Sequence, residues 1–103
     1  MEKEVLIHEI QNLIENYGTL HCYENIVGSC LPIPSYAISK AHKQIQGIPI
    51  MYGHKDGYIQ GFNKTSIVVC VYENGNVRDS FHIKYNDLST FYINEVLKFL
   101  QRK

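Results

Sequence analysis

The sequence predicts one α+β domain over residues 1–103, a mostly antiparallel sheet of about four to five strands with N-terminal, central and C-terminal helices packed on it. Three observations carry this expectation. Both ends of the chain show the apolar period of an amphipathic helix. Residues 66–85 read as a hairpin. Four of the seven glycines fall between Gly47 and Gly61, among aromatic and β-branched residues.

From Glu2 to Tyr17, Leu6, Ile10, Leu13, Ile14 and Tyr17 recur on one helical face, and Gly18 supplies the stop. Glu2, Glu4 and Glu9 sit in the first half, where the helix dipole favours carboxylates. Thr19–Tyr23 and Ile26–Leu31 read as a short hairpin turning at Glu24 and Asn25. Leu31-Pro32-Ile33-Pro34 forces extended backbone, because each proline fixes its own φ and turns its predecessor away from helix. With Ser35 as N-cap, Ala37, Ile38, Ala41 and Ile45 predict a second helix over residues 36–46, ended by Gly47.

Residues 48–62 then predict a glycine-rich hairpin turning in His54-Lys55-Asp56-Gly57. Ile67–Tyr72 is a continuous apolar run fit for a central strand, and Asn74-Gly75 favours a type I′ turn. A flush register after that turn sets Tyr72 opposite Val77, Cys70 opposite Asp79, Val69 opposite Ser80 and Ile67 opposite His82. Asp87 or Ser89 caps a last helix to about Gln101, with Ile93, Val96, Leu97 and Leu100 inward and Lys98, Arg102 and Lys103 at its negative end. Two layered architectures share this order of elements: the SH2 domain, which the second half resembles, and the profilin and roadblock type. Neither resemblance rests on a motif. Residues 48–62 hold no arginine, where SH2 domains keep the one that binds phosphate.

Ten Lys and Arg balance ten Asp and Glu, so the chain lacks the broad positive field on which non-specific nucleic-acid binding depends. The charge is segregated nonetheless: residues 31–65 carry four lysines against one acid, whereas residues 1–30 carry five acids against one base. No stretch approaches the ~18 apolar residues of a membrane span, and Met-Glu-Lys-Glu is not the start of a secretory signal, so the expected compartment is the cytoplasm. An excess of Ile, Asn, Tyr and Lys over Arg and Ala fits AT-rich codons, as in an AT-rich bacterium or phage.

Cys22, Cys30 and Cys70 are odd in number and share no framework spacing, so they are expected as reduced thiols. His21, Cys22, Cys30, His42 and His54 offer zinc-type ligands without a chelating pair, so neither a metal nor a cofactor is expected. Cys30 or Cys22 with His42 or His54 could compose a thiol hydrolase, but no local signature supports it. Gly61-Phe62-Asn63-Lys64-Thr65 lacks the glycine that a phosphate loop places before its lysine. Asp79 opposite Cys70 would be a desolvated acid on a buried face, and an ordinary surface carboxylate otherwise.

The remaining candidate is a basic, aromatic surface of Lys40, Lys43, Tyr52, His54, Lys55, Tyr58, Phe62 and Lys64. Flat rings, cations and permissive glycines suit a non-catalytic binding module for a protein partner or a second copy of the chain. The same surface could stack and neutralise single-stranded nucleic acid.

Overall fold

The structure, a computed structural model, describes residues 2–102. Helix α1, Lys3–Tyr17, buries Leu6, Ile7, Ile10 and Ile14, and ends where Gly18, at φ +73°, donates its N–H to the Ile14 carbonyl at 2.6 Å. Helix α2, Thr90–Leu100, buries Ile93, Val96, Leu97, Phe99 and Leu100. Asp87 falls in a 3-10 turn before it, and Lys103 lies outside the described residues. No helix among the described residues is long and apolar enough to cross a membrane.

One antiparallel sheet holds seven strands: β1 Leu20–Glu24, β2 Cys30–Pro34, β3 Lys43–Gln44, β4 Ile48–Tyr52, β5 Lys55–Phe62, β6 Ser66–Glu73 and β7 Asn76–Lys84. The main path runs β2-β1-β5-β6-β7. Antiparallel α+β layering is therefore present, with two α-helices and seven strands among the described residues in place of three helices and four or five strands.

The missing element is the helix expected over 36–46. Only Ser35–Ala37 make a single 3-10 turn. The Ser39 hydroxyl then accepts the Ala41 N–H at 3.2 Å, and the His42 N–H goes to the Ser39 carbonyl at 3.1 Å. Such local bonds offer the backbone an alternative to the helix ladder, and the stripe of two alanines and two isoleucines is too small to outweigh it. Layered architectures that require a central helix are excluded with it.

The freed segment fills a fork in the sheet. On the edge of β1 away from β2, Leu20 and His21 pair with Phe62 and Gly61 of β5, while Tyr23 and Glu24 pair with Gln44 and Lys43 of β3. On the matching edge of β5, Phe62 and Gly61 take β1, and residues 55–59 take β4. Chain 43–52 thus enters between the diverging strands and changes partner at Gly47. A Cβ there would overlap the Ile59 carbonyl and stand 2.9 Å from Cys22 Sγ, so only glycine fits.

Both long hairpins form, each with a local correction. The first turns at Gly53-His54, with Gly53 at φ +64°, so Lys55, Asp56 and Gly57 belong to β5. The second turns at Asn74 (φ +53°) and Gly75 (φ +80°), the type I′ signature, with Tyr72 opposite Val77. Beyond Tyr72 the flush register fails, because Arg78 is an extra residue in a β-bulge. Val71 then faces Asp79, Cys70 faces Ser80, Val69 faces Phe81 and Ile67 faces Ile83. The slip brings Phe81 and Ile83 onto the face of Ile67 and Val69, where both apolar pairs adjoin the core.

That face, covered by the helices, carries Leu20, Cys22, Ile50, Ile59, Phe62, Ile67, Val69 and Ile83 against the buried sides of α1 and α2. The Phe62 and Phe99 rings lie 5.6 Å apart. The opposite face carries His21, Tyr23, Tyr58 and Tyr72, all half-buried, and exposed Ser80, His82 and Lys84.

Candidate functional site

The eight residues singled out by charge and aromaticity do not form one surface. Phe62 is fully buried in the core, because the bulge at Gln60 in β5 keeps it in phase with Ile59. Lys64 follows the far end of β5 and approaches Glu15 of α1 at 3.9 Å. An eight-residue strand spans roughly 25 Å, so Lys64 and His54 mark opposite ends of the sheet. Lys40 and Lys43 are exposed near the β1–β2 hairpin, where Lys43 stands across from Glu24. Tyr52, His54, Lys55 and Tyr58 remain together on the β4–β5 hairpin.

Lys55 is not free there. Its ammonium lies 3.6 Å from the exposed Asp79 carboxylate and 4.8 Å from the centre of the Phe81 ring. The same bulge that turns Phe81 inward moves Asp79 from Cys70 to Val71, within reach of Lys55. Tyr58 packs edge-on to Tyr72 at 6.1 Å. The Tyr72 hydroxyl and the Gln44 amide both donate to the buried Gln60 carbonyl oxygen, whereas the Gln60 amide nitrogen has no partner.

The structure adds residues that the sequence argument passed over. Met51 and Phe91 are 63 % and 64 % exposed, beside Tyr52 at 43 %. Tyr92 joins them: its ring meets Phe91 edge-on at 5.3 Å, and its hydroxyl accepts the Met51 N–H at 3.2 Å. A cleft of about 460 Å³ opens here, lined by Pro49, Met51, Asp56, Tyr58, Tyr72 and Tyr92. Periodicity held a signal for both new residues. Met51 is out of phase with buried Ile50, and Phe91 lies off the Ile93, Val96, Leu97 and Leu100 stripe, so each is a large apolar side chain on a polar face.

The cysteine and histidine set is dispersed. Cys22 is fully buried, its thiol donates to the Ile59 carbonyl at 3.4 Å, and burial, then the neighbouring Cys30, pushes its pKa up to about 12. Burial also raises the Cys70 thiol. His42 sits against Ser39 and, edge-on, the Tyr23 ring at 6.5 Å, while His54 is in the β4–β5 turn. The His21 ring is 2.8 Å from the Ser35 hydroxyl, which itself donates to the Thr19 carbonyl at 3.1 Å, so Nε2–H is the donor, and burial lowers the imidazole pKa. Among the described residues no three His, Cys, Asp or Glu groups come close enough to hold a metal ion. Cys22 and Cys70 are stabilised as neutral thiols, the reverse of what a nucleophile needs.

No protein-family model, curated protein or solved structure matches this chain.

Proposed function

We propose that the protein is a small, non-catalytic interaction module that grips a protein partner with the β4–β5 hairpin and the start of α2. One observation carries the reading: Met51 and Phe91, each more than 60 % exposed, flank Tyr92, and Met51 and Tyr92 line a mainly apolar cleft. Large apolar side chains beside a concave, ring-lined surface are the anatomy of an interface hot spot. Tyr58 lines the same cleft and adds amphipathic contact area, while Tyr52, in phase with Ile50, lies on the other side of the hairpin.

The charge distribution favours protein over nucleic acid as the partner. Lys55 is paired with Asp79, Lys64 with Glu15, and Lys43 stands opposite Glu24, so the basic middle of the sequence disperses into neutral surroundings. A phosphate chain would find no continuous cationic track there.

Photo-crosslinking side chains at positions 51 and 91 test the reading, with positions 12 and 40 as controls. The expected result is one discrete partner adduct from both 51 and 91; the position 51 adduct should be lost when Phe91→Ser is added, and the position 91 adduct when Met51→Ser is added, while the melting temperature holds. Equal adducts from all four positions, or salt-sensitive capture of nucleic acid from 51 and 91, would overturn it.

A further inference from the structure

Among the described residues four strands, β2, β3, β4 and β7, have a single strand partner. Strand β3 is only two residues long and lies in the fork between β1 and β5, and hydrogen-bond parity shows what each of the other three edges offers. In the β1–β2 hairpin, Asn25 donates to the Ser29 carbonyl and Ser35 to the Thr19 carbonyl, so odd-numbered residues of β2 point their polar groups toward β1. Cys30, Pro32 and Pro34 point outward, and the two prolines have no N–H to offer. In β4 the outward positions are Pro49, again without an N–H, and Met51, whose N–H is taken by Tyr92. Both edges are closed to a further strand, as soluble sheets commonly arrange.

The third edge is different. Tyr85 donates to the Thr65 carbonyl on the β6 side, so the amides of Ile83 and Phe81 also face β6, and Ser80, His82 and Lys84 point outward. The nine residues of β7 include no proline, and seven are exposed. Only the Ser80 N–H is already taken, by the Asp79 carboxylate at 2.8 Å. The free donors are therefore the N–H groups of His82 and Lys84, and the carbonyls of Ser80, His82 and Lys84 face the same way.

We propose that two copies of the chain pair antiparallel along β7, across a two-fold axis that sets His82 opposite its own counterpart. A two-fold normal to the sheet preserves its faces, so only residues of like parity can stand opposite one another. Centred on His82, the pairing lets each His82 N–H meet the other copy's His82 carbonyl. Each Lys84 N–H then meets a Ser80 carbonyl. All four free donors are satisfied without disturbing Asp79, and no two carboxylates or lysines are opposed. Centring on Ser80 instead would direct the His82 donor at the bulged Arg78 and use the amide that Asp79 already holds. A second copy is favoured over an unrelated strand because this register sets half-buried Phe81 opposite the other copy's Ile83 on the helix-covered face, so the apolar row of that face continues across the axis. The pairing is independent of the hairpin surface assigned above, and the two can fail separately.

Sedimentation of the full chain with disulfide trapping in a Cys30→Ser background tests the pairing. The expected result is a concentration-dependent monomer–dimer equilibrium. His82→Cys should link to itself under mild oxidation, since directly opposed residues have Cα atoms about 5.5 Å apart, within disulfide range. Ser80→Cys should not, because its counterpart is four residues along the strand, roughly 13 Å away; mixed with Lys84→Cys it should yield a cross-linked heterodimer. His82→Pro, which removes the central donor, should leave only monomer. A monomer at every concentration, a dimer that His82→Cys cannot trap, or Ser80→Cys linking to itself as fast as His82→Cys would overturn the proposal, and the cysteine series decides even if the proline variant fails to fold.

Discussion

The Tyr92 hydroxyl accepts the Met51 N–H at 3.2 Å, so the first turn of α2 closes the outward edge of β4. Tyr92→Phe keeps the ring and removes the acceptor. It should cost about 1 kcal/mol and lower the melting temperature by about 4–8 °C. Hydrogen exchange at the Met51 amide should accelerate more than at the Ile50 amide, which faces β5; equal acceleration at both would show that the bond does not act locally.

Gly47→Ala should be among the most damaging single changes in the chain. The new methyl overlaps the Ile59 carbonyl, a backbone atom that cannot withdraw without parting β4 from β5. A loss of about 3 kcal/mol in urea denaturation is expected. Gly53→Ala is the matched control: its Cβ meets open space, and only the positive φ of +64° is penalised, at about 1 kcal/mol.

Stability should fall at high pH through Cys22. Burial pushes its thiol from an ordinary value of 9.0 up to about 12, so the folded chain keeps a proton that the unfolded chain releases. The contribution is fully present below pH 9 and is lost as the pH climbs toward 12, by up to about 1.4 kcal/mol per pH unit. Chemical denaturation between pH 8 and 10 should show this fall, and Cys22→Ala should reduce it to the smaller part that the Cys70 thiol, also raised by burial, contributes. Thiol labelling at pH 8 should modify half-buried Cys30 well before Cys22 or Cys70.

Deleting Arg78 should be tolerated, although it lies within a nine-residue strand. Arg78 is the surplus residue of the bulge, and its loss leaves Val71 opposite Asp79 and Val69 opposite Phe81 in a regular ladder. The expected change is within about 1 kcal/mol. Inserting one alanine between Ser80 and Phe81 turns Phe81 and Ile83 toward solvent, and circular dichroism should then report an unfolded chain.

The terminal helices and the second hairpin were legible because their signals are local. Gly18 stops α1, the Ile93 to Leu100 stripe defines α2, and Asn74-Gly75 can adopt the two positive φ angles of a type I′ turn. Residues 36–46 misled for the opposite reason. Ala37, Ile38, Ala41 and Ile45 satisfy the helical period but bury little surface, and Lys43-Gln44 gain backbone partners on β1 that lie about 20 residues away in sequence. Of the candidate site, the aromatic hairpin carrying Tyr52 and Tyr58 was visible, whereas the neutralising partners of Lys55 and Lys64 come from β7 and α1.

By itself the sequence determined the two terminal helices, the extended segment 31–34 and the Asn74-Gly75 turn, because φ preferences, proline and glycine chemistry and side-chain period act within a few residues. Only the tertiary structure decided which apolar groups the core would enclose and which it would leave out. Phe62 was drawn inside by the bulge at Gln60, Phe81 by the bulge at Arg78, and Met51 and Phe91 were left in solvent. Strand register answers to the face that α1 and α2 cover, and burial on that face is a property of the assembled layers that no short stretch of chain contains.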